Sequence, residues 1–164
     1  MAGSLSIPQN LNSTEAVFEH LLPQLRALLE GEREETACMA NTAAVLMDVF
    51  PQHWIGFYRV RGNELVLGPF QGPIACTRIQ KGKGVCGTAW AKNETIVVDD
   101  VDQFPGHIAC SALSKSEIVV PLRNNQGDVM AVLDIDSDRH GAFDEAMKIG
   151  FEQICSMLST HIYG

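Results

Sequence analysis

Apolar residues recur three and four positions apart near the start of the chain. Phe18, Leu21, Leu22, Leu25, Leu28 and Leu29 trace one stripe of a helix. Asn12 is placed to cap it, with Glu15 three residues on in the capping-box position. Pro23 falls inside the stripe and predicts a kink or a restart there. Beyond Gly31 a second helix is expected from about Glu32 to Phe50, with Ala40, Ala43, Leu46, Met47 and Phe50 on its buried face. The small residues on that face suit close packing on a sheet or another helix.

After Pro51 the pattern changes. Trp54 to Val60 reads as a strand, Arg61-Gly62-Asn63 as a hairpin turn, and Glu64 to Phe70 as the partner strand. A glycine- and proline-rich connection runs through Cys76 to a short strand near Thr77 to Ile79, and Cys86 to Lys92 suits a short helix. Thr95 to Asp99 is a further strand, and Val101 to Ser114 an irregular loop. Glu117 to Arg123 and Gly127 to Ser137 are β-rich segments joined at Asn124-Asn125-Gln126. Asp144 caps a closing helix with Met147, Phe151, Ile154, Leu158 and Ile162 along one side. Helices at both ends and an antiparallel set of strands with one inserted helix describe an α+β sandwich. The terminal helices can pack on each other or supply a dimer interface.

Composition narrows the partners. The 164 residues suit one domain, and residues 1–11, rich in Ser, Asn and Gln, read as a flexible terminus. With 12 Lys+Arg against 20 Asp+Glu the formal charge is -8, which argues against nucleic acid or an anionic membrane as the main partner. No apolar run approaches a membrane span, and Met1 to Asn10 lack the features of a signal peptide, so a cytoplasmic location is expected. An odd number of cysteines, 5, in a reducing compartment disfavours a structural disulfide framework, and any disulfide should be transient.

The candidate chemistry is that of thiols and carboxylates. Cys76, Cys86 and Cys110 sit in stretches punctuated by glycine or proline, where a thiol can be reached by a substrate. Cys38 and Cys155 lie within helical patterns and read as core. Cys86 opens its helix, where N-terminal amides favour a thiolate. Asp134 and Asp136 alternate with Leu133 and Ile135, so both acids project from one strand face. Like charges so placed require solvent or a cation. Trp54 and Tyr58, four apart, also share a strand face, and Lys81-Gly82-Lys83-Gly84 either turns amides toward an anion or is a plain hairpin. There is no Cys-x-x-Cys, and His107 with Cys110 is half a zinc-ligand pair. No metal or organic cofactor is therefore expected.

A resemblance sharpens these readings. Leu67-Gly68-Pro69-Phe70-Gln71-Gly72, Ile74-Ala75-Cys76, Gly82-Lys83-Gly84-Val85-Cys86-Gly87-Thr88-Ala89 and Gly106-His107-Ile108-Ala109-Cys110 are followed by Ser116-Glu117-Ile118-Val119-Val120-Pro121-Leu122 and Val132-Leu133-Asp134-Ile135-Asp136-Ser137. In that order, from roughly Gly31 to Met157, they resemble the free methionine-(R)-sulfoxide reductases, enzymes built on a GAF domain. The resemblance implies one GAF-like catalytic domain over residues 12–164, its antiparallel sheet between the terminal helices and a short helix and loop layer. It implies Cys110 as nucleophile and Cys76 as the resolving thiol that forms a disulfide with it. Cys86 is a secondary resolver, an alternative thiol or a packed residue, and His107 either orients Cys110 or is incidental. Trp54 and Tyr58 belong to the pocket around the sulfoxide methyl, with Glu117, Asp134 and Asp136 binding the ammonium group and protonating the sulfoxide. A thioredoxin-type protein is the expected reductant, and a homodimer through the terminal helices the expected assembly. The alternative is a noncatalytic GAF module that binds a small ligand or senses oxidants through its thiols.

Overall fold

The computed structural model describes residues 5–107 and 112–164. Helix α1 (Thr14–Leu28) is followed by α2 (Glu35–Val49), the strands β1 (Trp54–Arg61), β2 (Glu64–Gln71) and β3 (Arg78–Gln80), and helix α3 (Gly84–Lys92). Then come β4 (Ile96–Val98), a single 3-10 turn at Val101–Gln103, β5 (Ser116–Arg123), β6 (Val129–Ser137) and α4 (Glu145–Tyr163). The strands form one antiparallel six-stranded sheet in the order β3-β2-β1-β6-β5-β4.

Each face of the sheet carries its own apolar layer. On one face Ile55, Phe57, Ile118, Val120, Leu133 and Ile135 pack with Phe18, Leu25, Met39, Leu46, Phe151 and Leu158 of α1, α2 and α4. On the other face Trp54, Tyr58, Val119 and Val132 pack with Val85, Cys86, Ala89 and Trp90 of α3. This double coverage explains why β5, Ser116 to Leu122, is buried without a break rather than alternating. Cys38 and Cys155 belong to the helix-side layer, as their helical patterns predict.

Several local expectations change. Ser13, not Asn12, caps α1, its hydroxyl accepting from the Ala16 amide at 3.1 Å. Pro23 does not restart that helix, which runs from Thr14 to Leu28 through it. Buried Phe18, Leu21 and Leu25 flank the proline on both sides, and tertiary burial outweighs the lost backbone hydrogen bond. The Gln24 amide nitrogen donates to the carbonyls of His20 and Ser6, at 3.0 and 2.9 Å, and the Ser6 amide donates back to Gln24 Oε1 at 2.7 Å. In α2 the buried face is Cys38, Met39, Thr42, Ala43 and Leu46. Ala40, expected inside, is exposed because the helix is rotated to put Cys38 and Met39 on the sheet. The terminal helices pack on each other, with the Phe18 ring occupying the space a side chain at Gly150 would need.

Candidate active site

Register builds the site. Trp54 of β1 lies opposite Asp136 of β6, and Asp136 lies opposite Glu117 of β5, giving a row across three neighbouring strands on the α3 side of the sheet. One step along, Gly56 lies opposite Asp134, and Asp134 opposite Val119. Strand alternation then aims Glu117, Asp134 and Asp136 at one place. There they line a pocket of about 580 Å³, open mouth included, with Trp54, Tyr58 and Cys86. The solvated outer face that two nearby acids can form is ruled out for Asp134, which is 5% exposed beneath α3.

The aromatic wall is layered. Trp54 stacks between Phe70, at 5.2 Å between centroids, and Tyr58, at 5.9 Å. Gly56 makes this arrangement possible, because a Cβ there would collide with Trp54 and with the Cβ of Phe70. Trp54 Nε1 donates to the Pro73 carbonyl at 3.1 Å and the Tyr58 hydroxyl to the Cys76 carbonyl at 2.8 Å. The two aromatics therefore hold the Pro73-Ile74-Ala75-Cys76 segment as a strap along the pocket edge. Cys76 is half-buried and disulfide-bonded, whereas Cys38, Cys86 and Cys155 are free. Cys110 lies in residues 108–111, outside the described residues.

Burial dominates the electrostatics. Loss of water pushes the Glu117, Asp134 and Asp136 carboxyls well above their ordinary range, and mutual repulsion among them adds to the shift. Glu117 hydrogen-bonds both aspartates, an arrangement that needs shared protons. Among the described residues, Asp134 Oδ1 is buried with no hydrogen-bond partner. Ser114 Oγ donates to Asp136 Oδ1 at 3.3 Å, and His107 Nε2 lies 3.7 Å from Glu117 Oε1.

For Cys86, burial favours the packed residue among the readings offered. It is neither in an open loop nor stabilised as a thiolate at the start of α3. It is 4% exposed, and burial followed by the charge of Asp134 pushes its thiol well up. The acids outweigh the helix amides because they face the sulfur directly inside a dry pocket. The turn before α3 is not a hairpin: the Lys83 amide donates to the Gln80 carbonyl at 3.1 Å and the Gly82 amide to the Gly87 carbonyl at 2.8 Å. It delivers the N-terminus of α3, which no side chain caps, to the pocket wall at Lys83, Gly84 and Val85.

All of Trp54, Tyr58, Cys86, Glu117, Asp134 and Asp136 thus meet in one pocket, with the Cys76 strap at its edge. Sequence reading gave no role to Ser114 and Gly56, and left His107 between orienting and incidental. A glycine inside an otherwise bulky apolar strand was the available sign of close packing above Gly56. No comparable signal marks Ser114, because its role depends on the loop's path.

Residues 32–162 match the family model described as GAF domain. "GAF domain-containing protein A" of Dictyostelium discoideum is 54% identical over 98% of this chain and 100% of its own length. The free methionine-R-sulfoxide reductase of Escherichia coli is 46% identical over 90% of this chain and 89% of its own. The solved structure of the free methionine-R-sulfoxide reductase of Neisseria meningitidis, in complex with its substrate, superposes with a TM-score of 0.91. It shares 46% identity and covers 96% of this chain and 95% of that one. With sheet order, pocket and near full-length similarity in agreement, this chain belongs to the GAF-type free methionine-R-sulfoxide reductases and is an oxidoreductase.

Proposed function

We propose that this chain reduces free L-methionine-(R)-sulfoxide to methionine, with Cys110 as nucleophile and Cys76 as resolving thiol. The observation that carries the reading is the convergence of an aromatic wall and a buried carboxyl cluster on one pocket, with disulfide-bonded Cys76 on the strap at its edge. Trp54 and Tyr58 offer a dispersive surface to the sulfoxide methyl and sulfur. The unpartnered Asp134 Oδ1 is suited to an ammonium donor. The uncapped N-terminus of α3 supplies amides and a partial positive charge for the substrate carboxylate.

In this scheme the Cys110 thiolate attacks the sulfoxide sulfur while a protonated carboxyl of the cluster gives its proton to the oxygen. In the adduct the hydroxyl moves from the substrate sulfur to the Cys110 sulfur as the transient S–S bond between them breaks, so methionine leaves and Cys110 is left as sulfenic acid. The Cys76 thiol displaces that hydroxyl as water, forming a disulfide, and a thioredoxin-type dithiol returns the enzyme to its reduced form. The raised pKa values of Glu117, Asp134 and Asp136 suit the acid step, since an ionised carboxylate has no proton to give.

The pocket reads a free amine, so the discriminating assay compares free methionine sulfoxide with its N-acetyl derivative, dithiothreitol serving as reductant. Methionine should form readily from the free R-epimer and at least about tenfold more slowly from the acetylated compound. Equal rates would refute ammonium recognition by the acids. No product from either would refute the assigned reaction.

A further inference from the structure

Beyond the substrate, the pocket floor has the donor set of a soft metal site. Cys86 comes from α3, Glu117 from β5 and Asp134 from β6, and their ligand atoms all lie within 4.8 Å of one another, every one buried. His107 enters from the loop before β5, its Nε2 at 3.7 Å from Glu117 Oε1 and its side chain 14% exposed. A tetrahedral zinc ion with bonds of about 2.0–2.3 Å holds its ligand atoms about 3.3–3.8 Å apart. The histidine–glutamate pair already has that separation, and the Cys86, Glu117 and Asp134 ligand atoms lie within 4.8 Å of one another. A second observation points the same way: among the described residues Asp134 Oδ1 is buried without a partner, which leaves an acceptor in the cluster open to an electropositive ligand.

We propose that Cys86, Glu117 and Asp134 form a binding site for a thiophilic divalent cation, with zinc the best match and His107, beside Glu117, turning in as a fourth ligand when the ion binds. An ammonium group needs the carboxylates alone. A thiol and an imidazole nitrogen are the donors that separate zinc or cadmium from magnesium and calcium, which take oxygen. On binding, the thiol proton and any proton held by the two carboxyls pass to solvent, and the cation replaces them as the positive charge between the acids. The ion then fills the space at Asp134 that the proposed ammonium occupies. Zinc is therefore an inhibitor rather than a cofactor. This site is invisible to motif reading, because its ligands come from separate elements with no zinc-type spacing between them.

The test uses the full-length chain carrying Cys76→Ser and Cys110→Ser, which leaves Cys86 as the pocket thiol, titrated with Co2+ as a spectroscopic probe. One equivalent should bind with thiolate-to-cobalt charge-transfer absorption, and Zn2+ should displace it while Mg2+ does not. Adding Cys86→Ser should abolish the absorption and weaken Zn2+ binding at least about tenfold. His107→Gln should keep the absorption and weaken binding about tenfold. Circular dichroism verifies that each variant is folded. Absorption that survives Cys86→Ser, or that is lost instead with Cys38→Ser or Cys155→Ser, would overturn the assignment, as would failure to bind Co2+. In the wild type, Zn2+ should raise the apparent KM for methionine sulfoxide. That arm rests on the proposed substrate, whereas the cobalt arm does not, so each can fail alone.

Discussion

Asp134→Asn should make the protein more stable and less active, with the gain growing as pH rises. Asp134 is 5% exposed, lies against Glu117 and Cys86, and has its carboxyl pushed up first by burial and then by the Glu117 charge. Its folded pKa therefore exceeds that of the unfolded chain. The folded protein holds a proton that the unfolded chain releases above about pH 4, so stability falls as pH rises from there toward the folded value. While that proton stays bound, each pH unit costs about 1.4 kcal/mol. Asparagine keeps the shape, carries no charge and donates to Glu117. Allowing for imperfect amide hydrogen bonding, it should recover about 1–3 kcal/mol at pH 6, or about 2–12 °C in Tm for a chain of this size. At pH 4 the two proteins should melt nearly together. Thermal melts from pH 4 to 8 give the slopes directly. Dithiothreitol-driven turnover of free methionine sulfoxide should fall at least about tenfold, because an asparagine cannot ionise against the ammonium group when substrate binds, as the aspartic acid can. Parallel pH slopes, or a variant less stable than wild type at pH 6, would refute the desolvated-acid account of this pocket.

Further outcomes probe the thiols and the helix layer. Cys110→Ser should form no methionine even in a single turnover, whereas Cys76→Ser should release about one equivalent and then stall, read by product quantification without added reductant. Peptide mapping of wild type after one turnover should recover a Cys76–Cys110 crosslink, and a dominant Cys86–Cys110 crosslink would reassign the resolving thiol. Gly150→Ala should destabilise by about 1–3 kcal/mol in denaturant titration, because the new methyl falls on the Phe18 ring, while KM for the sulfoxide stays unchanged.

The elements were legible where a periodic pattern met a punctuating residue. The hairpin at Arg61-Gly62-Asn63, the Asp144 cap and the alternation of Asp134 and Asp136 with Leu133 and Ile135 are local facts, and the folded chain keeps them. Pro23 does not restart α1 because propensity assigns only a local cost, while Phe18, Leu21 and Leu25 are buried around it by helices and strands distant in sequence. Ala40 was misplaced for a related reason: several apolar faces of α2 are similar in hydrophobicity, and contact with the sheet selects one.

For the site, the chain by itself identified which acids, aromatics and thiols to watch, and motif order indicated the family. Strand period 2 was enough to put Asp134 with Asp136, and Trp54 with Tyr58. Pairing register alone decided that Glu117 stands beside Asp136 and that Trp54 faces it from the other side, since register is a relation between strands. The protonation preferences also belong to the tertiary structure. The N-terminal position of Cys86 in α3 suggested a thiolate, yet a dry pocket with Asp134 and Glu117 facing the sulfur reverses that preference. Sequence specifies which charges exist, but only packing decides how much water remains around them.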